Sequence, residues 1–209
     1  MMKSEKIRVM IADDHPVVCK GLGAIIQAEP GMEVIGEAAD GKQAVKIFHE
    51  CRPDITLIDL RMPVMSGVDA IRAIRKDYPN ANFIILTTYQ GDEDIHRGIS
   101  AGARGYLLKG MRNRDLIDAI RQVHQGCRYM PKPVLDSLAS RPANSELSTR
   151  ELEVLELIVK GRSNKAIAEA LGITESTVKW HVNIILARLN VGDRTAAAVT
   201  ALRRGIVEF

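Results

Sequence analysis

The sequence predicts an α/β domain on a doubly wound, five-stranded parallel sheet, followed by an all-α domain of four helices. Three observations carry that fold class. Over roughly the first 125 residues, short apolar runs alternate five times with helical patterns. From Leu147 onward the apolar spacing is helical throughout. Between the two, Gly126, Pro131, Pro133, Pro142 and the stretch Ser140-Arg141-Pro142-Ala143-Asn144-Ser145 interrupt both patterns.

The elements follow from those patterns in order. Strands are expected over residues 7–12, 32–38, 54–58, 82–87 and 104–108, because these runs are short and apolar on both faces, as buried parallel strands are. Helices are expected over 17–29, 41–50, 67–77, 93–101 and 113–125, with Gly41, Gly67, Gly91 and Gly110 at permissive turns. Successive βα units place helices on both faces of the sheet. Residues 1–126 are read as the first domain, 127–146 as a linker with a short helix from Val134 to Leu138, and 147–209 as the second domain.

In that second domain, Ser148-Thr149-Arg150-Glu151 is a capping box before Leu152, Leu155, Ile158 and Val159. Gly161 ends this helix, and Ser163 caps the next one through Ala166, Ile167 and Leu171. Gly172-Ile173-Thr174 turns into a third helix reaching Leu189, and Asp193 caps a fourth that runs through Ala196-Ala197-Ala198 to Gly205.

Composition narrows the partners. The chain carries 29 Lys+Arg against 26 Asp+Glu, net +3, which excludes a polybasic nucleic-acid coat. The distribution is uneven: residues 1–140 hold 19 basic and 18 acidic side chains, whereas residues 160–204 hold eight basic and three acidic. The second domain therefore has the electrostatic footprint expected of a nucleic-acid binder. Cys19, Cys51 and Cys127 show neither a disulfide framework nor a zinc spacing, as expected in a reducing compartment. Met1-Met2-Lys3-Ser4-Glu5-Lys6 is not an apolar leader and no apolar run reaches membrane-spanning length, so a cytoplasmic protein is expected.

Chemistry concentrates at the strand ends. Asp13 and Asp14 follow Val9-Met10-Ile11-Ala12, Asp59 follows Ile55-Thr56-Leu57-Ile58, Thr87 follows Phe83-Ile84-Ile85-Leu86, and Lys109 follows Tyr106-Leu107-Leu108. Carboxyl ends of parallel strands converge on the crevice where open α/β sheets bind ligands. Three carboxylates there repel one another unless a cation neutralises them, and magnesium suits one or two carboxylates plus phosphate oxygens. A carboxylate can itself attack phosphorus, Thr87 can donate to a phosphoryl oxygen, and Lys109 can pair with its charge.

Four stretches carry a family resemblance: Met10-Ile11-Ala12-Asp13-Asp14-His15-Pro16; Leu57-Ile58-Asp59-Leu60-Arg61-Met62-Pro63 with Gly67; Leu86-Thr87-Thr88; and Gly102-Ala103-Arg104-Gly105-Tyr106-Leu107-Leu108-Lys109. Over about residues 5–125 the chain resembles the receiver domains of two-component response regulators, a flavodoxin-like fold. The resemblance implies that Asp59 accepts a phosphoryl group from a sensor histidine kinase. It implies that Asp14, Asp59 and the backbone carbonyl of Arg61 ligate magnesium (Mg2+), with Asp13 acting through water. It also makes Thr87 and Tyr106 a switch pair and Lys109 the phosphate partner.

The third helix of the second domain carries Val178, Val182, Ile185, Leu186 and Leu189 as one apolar stripe. Its opposite side carries Ser176, Trp180, Asn183 and Ala187, with Lys179 and His181 on the flanks. A polar free face after a helix-turn-helix break at Gly172 fits a major groove. Asn183 can read an adenine edge, and Lys179 a guanine edge or a phosphate. Ser163, Lys165, Ser176 and Thr177 lie near helix starts, where hydroxyls and N–H groups hold phosphates. Trp180, opposite the apolar stripe, is expected to face DNA or a partner chain.

Leu147-Ser148-Thr149-Arg150-Glu151, Gly161-Arg162-Ser163-Asn164-Lys165-Ala166-Ile167-Ala168, Ile173 to Val182 and Arg194-Thr195-Ala196-Ala197 are similar to the LuxR-type four-helix DNA-binding domain. Joined to the receiver, they make the chain resemble the NarL/FixJ class throughout. That resemblance implies base contacts from Lys179, Trp180 and Asn183, and a homodimer on double-stranded DNA with two-fold related half-sites. Small residues in the fourth helix (Ala196, Ala197, Ala198, Ala201) suit close helix approach. The resulting expectation is a phosphorylation-controlled transcription regulator rather than an enzyme. A phosphorylation-independent regulator and an aspartyl-phosphate phosphatase stay open as alternatives.

Overall fold

The computed structural model describes residues 6–88, 92–140 and 147–207, so Gly91, the first five residues and 141–146 of the expected linker lie outside the described residues. The chain divides into two compact units that part near residue 136. In the first, β1 (Ile7–Ala12), α1 (Pro16–Gln27), β2 (Met32–Ala38), α2 (Gly41–Cys51), β3 (Ile55–Asp59), α3 (Gly67–Asp77), β4 (Phe83–Thr87), α4 (Asp92–Ser100), β5 (Gly105–Leu108) and α5 (Asn113–His124) alternate without interruption. All strand pairs are parallel, in the order β2-β1-β3-β4-β5. The order reverses between β1 and β3, and this is the point where an open α/β sheet offers a crevice at its carboxyl ends.

Burial explains the continuous apolar runs. Every residue of β3 and β4 is buried, and Val9, Ile11, Leu57, Ile84, Leu86 and Leu107 pack with Leu22 and Ile26 of α1 and Leu116, Ile120 and Val123 of α5. Each such side chain contributes about 1.5–3 kcal/mol on burial. Strands β3 and β4 run one residue later than expected at both ends of β3 and at the start of β4. Asp59 is consequently the last rung of the ladder, opposite Leu86, and Thr87 is the last rung opposite Leu108.

The far side of β5 is not left open. The Tyr106 N–H donates to the Tyr129 carbonyl at 2.9 Å and the Tyr129 N–H donates to the Arg104 carbonyl at 3.0 Å, a parallel bridge made by a residue from the expected linker. Beyond it, α6 spans Lys132–Ser140, longer at both ends than the 134–138 expected.

The second unit consists of α7 (Thr149–Val159), α8 (Asn164–Leu171), α9 (Glu175–Leu189) and α10 (Arg194–Arg204). Side chains of Ser148, Ser163, Thr174 and Asp193 accept the backbone N–H three residues on, and Ser148 with Glu151 completes the capping box. Such caps are worth about 1 kcal/mol each. Val154, Leu155, Ile158, Ile167, Ile185, Leu189, Ala197 and Ala201 form the core, against which Val182 and Leu186 pack half-buried. One expectation is corrected here: His181 is not on a flank of α9 but buried, on the same face as Val178, Ile185 and Leu189. Among the described residues no helix is long and apolar enough to cross a membrane.

Candidate functional site

The acidic pocket is assembled from four strand ends and one loop. Single carboxylate or imidazole atoms of Asp13, Asp14, His15 and Asp59 all lie within 4.8 Å of one another. Lys109 reaches between the two deepest carboxylates, its Nζ 2.8 Å from Asp13 Oδ2 and 2.5 Å from Asp59 Oδ2. Pairing of the sheet delivers that ammonium, because the Lys109 N–H donates to the Thr87 carbonyl at 2.9 Å.

His15, which the strand-end pattern does not single out, belongs to the cluster. Its N–H donates to Asp13 Oδ1 at 2.9 Å, and its Nδ1 lies 2.7 Å from Asp14 Oδ1. The signal available was its place directly after the aspartate pair and before Pro16, which stands in the first turn of α1. No aspartate side chain caps that helix; Asp13 turns back to take the His15 N–H instead.

The loop from Leu60 to Ser66 holds the other wall. Met65 donates its N–H to the Pro63 carbonyl and accepts one from Gly41, while the Gly67 N–H donates to Leu60 at 3.0 Å. This winding aims the Arg61 N–H at Asp59 Oδ1, 3.2 Å away. Glycine is needed at two points because of approach rather than dihedral angle. A Cβ on Gly67 would stand 2.0 Å from the Asp59 carbonyl oxygen, and one on Gly41 would stand 2.4 Å from that of Met65.

Electrostatics set the protonation of the pocket. Burial pushes the Asp59 carboxyl above the ordinary aspartate range, outweighing the Lys109 ammonium and the Arg61 N–H that pull it down. Burial also works against the Lys109 charge, but Asp13 and Asp59 outweigh it and hold Lys109 above the usual lysine value. Three carboxylates against one ammonium leave an excess of negative charge. Oxygen donors this close are the set a hard divalent cation takes, completed by phosphate oxygens and water.

Thr87 and Tyr106 are fully buried rather than lining the opening. Tyr106 pairs in register with Ile85, so the two-residue alternation of strands puts Thr87 and Tyr106 on one face of the sheet, a diagonal step apart.

The second unit presents a different kind of surface. Ser176, Trp180, Asn183 and Ala187 are exposed along one side of α9, with Lys179 beside them. The Ser176 and Thr177 hydroxyls gather around Thr174 Oγ1 at 2.7 and 2.9 Å, so three hydroxyls cluster at the start of the helix. Ser163 and Lys165 are exposed at the start of α8. Arg194 fixes that start, donating from Nη1 to Asn164 Oδ1 at 3.2 Å and from Nη2 to the Arg162 carbonyl at 2.6 Å. The angle of α9 is held by Arg188, which pairs with the buried Glu151 of α7.

Comparison with known proteins bears on both surfaces. Residues 9–121 match the response regulator receiver domain family, and residues 145–201 match bacterial regulatory proteins of the luxR family. The chain is similar to transcriptional regulatory protein LiaR of Bacillus subtilis (strain 168), 41% identical over 209 residues, covering 96% of this chain and 99% of that one. It is likewise similar to response regulator protein VraR of Staphylococcus aureus (strain COL), 38% identical over 207 residues, covering 97% and 99%. Among solved structures, response regulator ChrA of a heme-sensing two-component system matches with TM-score 0.57 at 36% identity, covering 96% and 98%. RcsB of Salmonella enterica serovar Typhimurium, bound to promoter P1flhDC with a phosphomimetic, matches with TM-score 0.72 at 25% identity, covering 94% and 98%.

Proposed function

Because the chain belongs to the response regulators that join a receiver domain to a LuxR-type DNA-binding domain, we propose that Asp59 is the phospho-acceptor through which a sensor histidine kinase controls its dimerisation and DNA binding. The observation that carries this is the position of Asp59. It ends β3 at the sheet's point of reversal, within the carboxylate cluster and 2.5 Å from Lys109.

An Asp59 carboxylate oxygen attacks phosphorus, the bond to the kinase imidazole nitrogen breaks, and the electron pair leaves with that nitrogen. The ionised carboxylate is the competent nucleophile, since protonation withdraws electron density from its oxygens and makes them far weaker donors. Lys109 favours that form against the cost of burial, and after transfer its ammonium is placed to pair with a phosphoryl oxygen. Asp13, Asp14, Asp59 and the Arg61 carbonyl would hold magnesium, the fit resting on clustered hard oxygen donors. Bound there, the ion would neutralise the pocket and draw charge from the transferring oxygens.

The new charge is then sensed by Thr87, whose movement toward it vacates volume for Tyr106 and gives a two-state repacking of β4 and β5. In the second unit, Lys179, Trp180 and Asn183 face base edges, while Ser163, Lys165, Ser176 and Thr177 hold phosphates. A DNA footprint at fixed salt, with and without acetyl phosphate, tests the scheme. Phosphorylation should raise occupancy about tenfold or more, as a differential of ~1.4 kcal/mol between states suffices. Asp59→Asn should abolish magnesium-dependent labelling, and persistent labelling of that variant refutes the assignment.

A further inference from the structure

We propose that Trp180 reads the methyl group of thymine in the major groove, which makes it a specificity-determining residue of the DNA-binding face; this rests on the DNA-binding reading above. The first observation is exposure. Trp180 is the only tryptophan of the chain, and it stands 59% exposed on α9. A large aromatic left in water forgoes the most burial any side chain can gain, and such residues recur where a partner covers them.

The second observation is its company. Ser176, Trp180, Asn183 and Ala187 fall on one line along the helix, at spacings of four, three and four residues. Ser176, Lys179 and Asn183 supply hydrogen-bonding groups for the acceptor and donor edges of bases. The C5-methyl of thymine is the one major-groove feature that such groups cannot read, and an apolar side chain can. Ala187 is also apolar, but it lies near the C-terminal end of α9, whereas recognition helices approach bases with their N-terminal residues. The polar surroundings also weigh against a protein partner. An interface of that kind centres on contiguous apolar surface, whereas the exposed side chains around Trp180 on this helix are Ser176, Lys179 and Asn183, with only the small Ala187 and the half-buried Ile184 as apolar neighbours.

The third observation is rigidity. The indole meets the imidazole of His181 edge to face, with ring centroids 4.8 Å apart and planes at 69°. His181 is itself 9% exposed and belongs to the buried side of the helix. A core residue therefore holds the direction of the exposed ring, and a ring already ordered loses less freedom on contact.

The test uses the full chain with beryllofluoride as phosphomimetic. Sites are selected from a random duplex library, and each thymine of the selected site is replaced singly by deoxyuridine, which removes the methyl and keeps the base pair. We expect one thymine in each half-site whose replacement weakens binding about fourfold, the worth of one buried methyl group. Trp180→Ala should bind the thymine and deoxyuridine duplexes equally at that position, and Trp180→Phe should keep part of the difference. Lys179→Ala should weaken both duplexes alike. A selected site with no methyl-sensitive thymine, or one whose sensitivity persists in Trp180→Ala, overturns the proposal while leaving DNA binding standing. Failure to select any sequence overturns the DNA-binding reading and this inference with it. Since the side chain is exposed, an unchanged thermal melt of Trp180→Ala separates loss of recognition from loss of fold.

Discussion

Replacing Gly67 by alanine sets two effects against each other, and their magnitudes decide the sign. Gly67 begins α3 with no left-handed backbone angle, so alanine there gains about 1 kcal/mol in helix propensity. The added methyl, however, would lie 2.0 Å from the Asp59 carbonyl oxygen, 2.9 Å from its carbonyl carbon and 3.1 Å from Leu60 Cα. All three are backbone atoms that cannot rotate away, and ordinary contact begins near 3.4 Å. The turn must open by more than an ångström, straining the 3.0 Å bond from the Gly67 N–H to Leu60 and shifting Asp59, the proposed phospho-acceptor. Overpacking of this severity costs about 3 kcal/mol or more, so the expected net loss is about 2 kcal/mol. Urea unfolding followed by circular dichroism measures it, and the initial rate of labelling by acetyl phosphate should fall in parallel. Gly110→Ala is the control, since nothing lies within 4 Å of its Cβ position, and it should be neutral or slightly stabilising. A Gly67→Ala protein as stable as the parent and labelled at the parental rate would refute the close approach on which the pocket geometry depends.

Two further outcomes follow from charge. Because burial holds the folded Asp59 carboxyl above the usual aspartate range, lowering the pH protonates it earlier than an exposed aspartate. In the magnesium-free protein, protonation of that carboxyl, followed by NMR on titration downward from pH 8, should therefore begin before the ordinary carboxylate range is reached, and a carboxyl still fully ionised at about pH 4 contradicts it. In the second unit, Glu151→Ala removes both the acceptor of the Ser148 N–H at 2.7 Å and a partner of Arg188. The lost cap is worth about 1 kcal/mol, and the charge pair adds about as much once discounted for an Arg188 side chain that is 35% exposed, giving about 2 kcal/mol in urea unfolding. Glu151→Gln, which can still accept from Ser148, should lose roughly half of that, and equal losses for the two variants would argue against the division.

The strand ends were legible because buried parallel strands are written as unbroken apolar runs, and a polar residue that ends such a run marks the crevice. Asp13, Asp14, Asp59 and Lys109 are recognisable on that ground, and the structure brings all four together. His15 escaped because its role depends on the fold of Asp13 back onto it, a local turn that residue type does not announce. His181 was misplaced for a different reason. It stands three residues after Val178 and four before Ile185, so helical spacing fits it to the buried stripe as well as Val182 fits, and polarity decided wrongly between them. At Gly67 the turn was foreseen but its cause was not, since the obstructing atom belongs to a residue eight positions earlier in another element.

Tyr129 has a practical bearing on how the first unit is isolated. A recombinant fragment stopped at the close of α5 would strip β5 of its outer neighbour, leaving the Tyr106 amide and the Arg104 oxygen as a ready template for a second strand. Fragments that retain the chain through Met130 keep that flank covered, and self-association seen only in the shorter version would reflect the cut rather than the protein's own assembly.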